Sequence, residues 1–230
     1  MSSGLPITCY LKVNNLFEAG NSSGLSLIYL DLLMADALNL SLWFPQFEDR
    51  DMMPRMLSVL RQFPFSSHRP GIAAVAVYPF SASEAPVYAQ NFEFQFPSER
   101  AVQLAGEFLH DDYAYEFEGY WDLWEPVEEQ DSWLLRPANV RFIAHGPRFE
   151  DGLFQQAGHI QVDFGPDLPF LYEEEILTGE SEVRVRANVQ KLVNFTTAVE
   201  KNCGISGRVL WSESEENLAQ KLISRLQKVH

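Results

Sequence analysis

Gly158-His159-Ile160-Gln161-Val162-Asp163-Phe164-Gly165 is the stretch on which the fold turns. Ile160, Val162 and Phe164 alternate with His159, Gln161 and Asp163, which predicts a strand with one apolar face and one polar face. Downstream the period changes. Val185, Val189, Leu192, Phe195 and Val199 recur at helical spacing between Glu182 and Asn202, and Gly204 follows as a natural stop. A short strand over Val209–Trp211 comes next. The last helix is then marked by a capping box of Ser212 and Glu215 and by a stripe of Leu218, Leu222, Leu226 and Val229.

Working upstream, Val140 to His145 reads as a strand. Tyr113, Tyr115 and Phe117 alternate with Ala114, Glu116 and Glu118; Gly119 then marks a turn and Tyr120 to Trp124 a return strand. Pro126 to Asp131 is acidic and aperiodic, as a linker would be. Earlier still come a strand at Ile7–Val13, a turn-rich stretch at Gly20–Gly24, an ambiguous apolar run at Leu25–Leu38 and a strand at Leu40–Phe44. A helix over 50–63 N-capped by Asp51 follows, then a strand covered on both faces at Gly71–Val77, a strand at Phe92–Phe96 and a helix opening at Ser98. The expectation is an α+β (or α/β) fold with a mostly antiparallel or mixed sheet. It is built as two sheet-and-helix lobes, 1–125 and 132–230, or as one continuous domain with an extended sheet. Both halves run strand, helix, strand, helix, which leaves a diverged duplication open, although no residue pattern repeats.

Composition narrows the partners. The chain has 230 residues, 46% hydrophobic and 21% charged, and a net charge of −15. Phosphate backbones and anionic lipid are repelled by such a chain, so neither nucleic acid nor membrane is an expected partner. Leu25–Leu42 is interrupted by Asp31 and Asp36 and is no membrane span. Cys9 and Cys203 are too few for a disulfide framework and lack metal-ligand spacing. No dinucleotide, Walker, H-E-x-x-H, C-x-x-C or EF-hand pattern is present, so no cofactor and no metal is expected. No signal sequence opens the chain, and the expected location is cytoplasmic. A protein or a small polar ligand remains as partner.

Gly20-Asn21-Ser22-Ser23-Gly24 matches the G-x-S-x-G elbow but lacks the strand that must run into it, so Ser22 is expected to be a loop residue. His159 and Asp163 share a strand face about 13 Å apart at roughly 3.3 Å per residue. His145 stands on the preceding strand, and His110-Asp111-Asp112 offers further ligating groups. Trp121 and Trp124 lie among acids, with Asp122 and Glu125 beside them; rings and carboxylates together suit a sugar, a basic peptide or an organic cation. One of these indoles is expected to border a concavity. The candidate ligand-binding residues are therefore Trp121, Asp122, Trp124, Glu125, His145, His159 and Asp163. Two functions fit: a non-catalytic binding or regulatory module, or a small-molecule or carbohydrate-directed hydrolase using acids and histidines between Asp111 and Asp163.

Overall fold

The computed structural model describes residues 36–127, 132–172, 179–212 and 217–227. The strand at Ile7–Val13, the Gly20–Gly24 stretch with Ser22, most of the ambiguous run after it, and Cys9 lie outside these residues.

Alternating sequence becomes sheet. Strands β1 (Ala37–Trp43), β2 (Ile72–Pro79), β3 (Tyr88–Phe96), β4 (Tyr113–Val127), β5 (Ser132–His145), β6 (Ile160–Pro166) and β7 (Gly207–Ser212) form one seven-stranded sheet among the described residues. Their order is β3-β2-β4-β5-β6-β1-β7, and every neighbouring pair is antiparallel. The α+β reading thus holds. β1 comes from the N-terminal half and pairs with β6 and β7 from the C-terminal half, so the sheet runs unbroken across the 125–132 division suggested by the sequence.

Register explains which face is buried. One row across the sheet reads Val75, Phe117, Phe142, Val162, Leu40, each at most 1% exposed. Against this face pack α1 (Asp49–Leu60), α2 (Ser98–Gly106), α5 (Glu180–Asn202) and α6 (Leu218–Leu226), through residues such as Met56, Ala105, Leu192 and Leu222. Two short helices, α3 (Phe154–Ala157) and α4 (Leu168–Leu171), flank β6. The opposite face carries the row Ala74, Glu118, Arg141, Asp163, Asn39, Trp211. Helices therefore line one side of the sheet and polar side chains the other, as period-two alternation requires.

Several local expectations are corrected. Gly119 is not a turn: β4 continues unbroken from Tyr113 to Val127, and Pro126 and Val127 end a strand where a linker was expected. Gly119 is small because the ring of Phe65 packs on it; a Cβ there would stand 2.8 Å from Phe65 Cε1. β2 is covered on one face only, with Val75 and Val77 buried and Ala74 and Ala76 half-exposed. α1 is capped by Glu48, with Asp51 as its reciprocal partner: Asp51 Oδ2 accepts the Glu48 N–H at 3.1 Å. Ser212 ends β7 and donates to Asp167 Oδ2 at 2.8 Å, and the last helix is capped at Asn217. Among the described residues no helix is long and apolar enough to cross a membrane.

Candidate functional site

Because β4 does not turn, the alternation that buries Phe117 continues and carries Trp121 and Leu123 into the core as well. Trp121 is 0% exposed and packs on Phe63, Phe164 and Phe170 with centroids 5.1 to 5.8 Å away. Asp122 is buried too. Its carboxylate accepts from Ser66 Oγ at 2.5 Å, from the Ser67 N–H at 3.0 Å and from Ser67 Oγ at 3.1 Å. Burial opposes ionisation, but these bonds and the Lys191 ammonium hold the carboxyl below its ordinary range. Asp122 thus pins the loop between α1 and β2. Trp124 is half-buried beneath the Arg184 guanidinium, 3.7 Å from the ring centre, and burial pushes the half-buried Glu125 carboxyl upward. Trp121 is thus taken up by core packing and Asp122 by loop closure.

The histidines meet a similar fate. His145 and His159 are neighbours across the β5–β6 end, with the His145 N–H donating to the His159 carbonyl at 3.0 Å. His145 Nδ1 lies 3.0 Å from the Gly158 carbonyl, so it must donate. His159 Nδ1 accepts the Phe44 N–H at 3.0 Å, so that nitrogen must be bare, and its ring stacks on Phe47 and Phe154. The accepting Nδ1 keeps His159 neutral, and burial pushes both pKa values below the ordinary histidine range. Asp163 stands apart from them on the polar face, where it binds Arg141 and accepts the Gly165 N–H at 2.8 Å.

A depressed histidine pKa has a signed consequence. Between the folded and unfolded pKa values the unfolded chain holds more protons, so stability is complete above about pH 6.5 and is lost as pH falls below it. His159→Asn supplies an acceptor near the position of Nδ1 and does not titrate. Its urea midpoint is expected to fall less between pH 7.5 and 5.5 than that of the parent; parallel losses would show that His159 does not contribute.

The convergent polar groups lie elsewhere, at the corner where β2 ends, β4 begins and β5 ends. Main-chain bonds lace three loops together: Phe80 N–H to Asp112 O at 2.9 Å, Glu150 N–H to Phe80 O at 3.1 Å, Arg148 N–H to Asp111 O at 2.8 Å, and Gly146 N–H to Tyr113 O at 2.8 Å. The approach at Gly146 admits no side chain, since a Cβ would stand 2.5 Å from the Asp111 carbonyl oxygen. Phe80, Glu150 and Asp151 all adopt left-handed backbone, with φ of 55°, 44° and 54°. For a bulky aromatic this conformation costs about 1–2 kcal/mol. Glu150 Oε1 accepts from both Ser81 Oγ and the Ala82 N–H at 2.8 Å.

These loops border an open surface depression of about 540 Å³ lined by Phe80, Ser81, Asp112, Arg148, Glu150 and Asp151. Arg148 binds Asp111, and that bond holds the Asp111 carboxyl below its ordinary range; His110 Nδ1 binds Asp112. His110, Asp111 and Asp112 together offer ligand atoms within 4.8 Å of one another, the set most able to hold a cation among the described residues. The Phe80 ring is 61% exposed, edge-on to Tyr113. The site's acids and histidine were visible in the sequence as His110-Asp111-Asp112. Its other wall, Phe80, Ser81 and Arg148 to Asp151, carried no motif and is assembled only by the loop contacts. Comparison of the chain with protein-family models, with curated proteins and with solved structures finds no match, so the site is argued from its own residues.

Proposed function

We propose that the protein is a non-catalytic binding module that takes a cationic group, a guanidinium or ammonium of a partner protein or a small polar ligand, at this corner. The observation that carries the reading is Phe80, held ring-outward by a left-handed backbone at the edge of an acid-lined depression. Leaving a phenylalanine in water forfeits about 1.5–3 kcal/mol of burial, and a cation over its face recovers part of that. Asp112, Glu150 and Asp151 supply the complementary charge. The hydrolase alternative would need a solvent-reachable general base between Asp111 and Asp163, whereas His145 is 3% exposed and the Nδ1 of His159 accepts the Phe44 N–H, which leaves its Nε2 protonated.

Agmatine, which carries a guanidinium at one end and an ammonium at the other, is a direct probe. Titrated at low salt, it is expected to shift the amide resonances of Phe80, Ser81 and Glu150, with binding weakened by added salt. Phe80→Ala and Glu150→Gln should each weaken it roughly fivefold, about 1 kcal/mol. Unchanged affinity in both variants, or shifts confined to other surfaces, would refute the assignment.

A further inference from the structure

β4 and β5 outrun the rest of the sheet. β2 pairs with β4 only between Tyr113 and Gly119, and β6 pairs with β5 only between Arg141 and Ala144. The β4–β5 ladder nevertheless continues to Pro126 opposite Trp133, giving a two-stranded arm with two outer edges. The β4 edge is closed by its surroundings. Tyr120 O accepts the Ser66 N–H at 2.6 Å, Asp122 O accepts from Lys191 Nζ, and Asn188 bonds both the N–H and the carbonyl of Trp124 at 2.9 Å.

Those bonds fix the direction of the main chain on the other strand. In an antiparallel ladder, a residue whose N–H and C=O point outward faces a partner whose groups also point outward. Tyr120, Asp122, Trp124 and Pro126 point away from β5, so their partners Asn139, Pro137, Leu135 and Trp133 point away from β4. Pro126 and Pro137 agree with this, because each stands where an N–H would be aimed outward and none is needed. Among the described residues no strand or side chain bonds the outward groups of Trp133 and Leu135. Leu134 and Leu135 are consecutive and therefore on opposite faces, yet they are 48% and 40% exposed. An open edge with apolar residues on both faces is what soluble sheets ordinarily avoid. Pro137 bounds this one, the Tyr172 ring packs on Trp133, and among the described residues nothing pairs with the outward main chain of Trp133–Leu135.

We propose that this edge of β5 is a docking surface for an extended partner segment of alternating apolar and basic residues, added as a strand beside Trp133–Leu135. Main-chain bonds to Trp133 and Leu135 would give register, and the exposed leucines would give apolar contact on both faces. Charge selects the partner. Glu125 lies opposite Leu134 with one cation, Arg136, two residues along the strand, and the whole chain carries −15. Two copies meeting here would bring like charges together, which argues for a basic partner over a second copy. The surface is distinct from the corner: Tyr113 and Trp124 are about 35 Å apart along β4 at roughly 3.3 Å per residue.

The test uses the full chain and a ten-residue peptide of alternating lysine and valine, with a control peptide whose two central valines are proline. Strand addition should slow amide exchange at Trp133 and Leu135 by at least roughly tenfold and leave Leu134, already bonded inward, unchanged. The proline peptide should protect neither amide. Leu135→Lys and Leu134→Lys, both at exposed positions, should raise the peptide concentration needed to protect Trp133 by roughly tenfold. Equal protection of Trp133 and Leu135 by the two peptides, or absence of protection there, would overturn the proposal. So would sedimentation showing a dimer that Leu135→Lys dissociates, which would assign the edge to a second copy.

Discussion

Replacing Asn188 with leucine is expected to cost about 3 kcal/mol, since several buried main-chain groups lose their partner at once. Asn188 is 1% exposed on α5, an uncommon place for an amide. Its Oδ1 accepts the Trp124 N–H at 2.9 Å, and its Nδ2 donates to the Trp124 carbonyl at 2.9 Å and to the Pro169 carbonyl at 3.0 Å. One side chain therefore plays the part of a neighbouring strand for the portion of β4 that β2 does not reach, and it ties α4 to the same point. Leucine fills a similar volume and bonds none of the three groups. Trp124 is half-buried, so water can relieve part of the loss, which keeps the figure below the sum of three full penalties. Urea denaturation measures the total, and amide exchange at Trp124 should accelerate more than exchange elsewhere in β4. A loss under roughly 0.5 kcal/mol, the scale of ordinary surface changes, would mean that the arm does not depend on this amide.

Asn188 also shows where sequence reading stops. The apolar positions of α5 and the alternation of β6 announce themselves through period, because a core needs one face of each element and period is all that a face requires. Val162 and Phe164 on one side of β6 and Gln161 and Asp163 on the other are legible for that reason. A single polar residue inside a helix stripe has no period, and its partner, Trp124, lies 64 residues away. Gly119 misleads in the opposite direction: a glycine after an alternating run reads as a turn, but here it makes room for the Phe65 ring. That error hid the burial of Trp121, since a continuing strand keeps counting in twos and returns residue 121 to the face of Phe117. The corner was less legible still. Phe80 and Glu150 are non-glycine residues with left-handed backbone, which no local propensity would select. They adopt it because the loops cross-bond one another, and such contacts between distant segments leave no mark in either segment alone.

Trp121 carries the last prediction. The indole is wholly buried among Phe63, Phe164 and Phe170, and among the described residues its Nε1–H has no acceptor. Buried indoles ordinarily bond that hydrogen, and an unmade bond in the interior costs about 1–3 kcal/mol. Packing and polarity therefore oppose each other at one side chain, and two substitutions separate them. Trp121→Ala removes the ring and opens a cavity between sheet and helices, for an expected loss of about 3–5 kcal/mol. Trp121→Phe keeps most of the ring contact and deletes the unpaired donor, so the smaller transfer and cavity losses are offset by relief of the desolvated N–H. The net cost should stay below about 1.5 kcal/mol, the range of volume-tolerant core swaps. Chemical denaturation of the three proteins at one pH decides the matter. If phenylalanine costs as much as alanine, the indole hydrogen is bonded in solution and the balance assigned to this position is wrong.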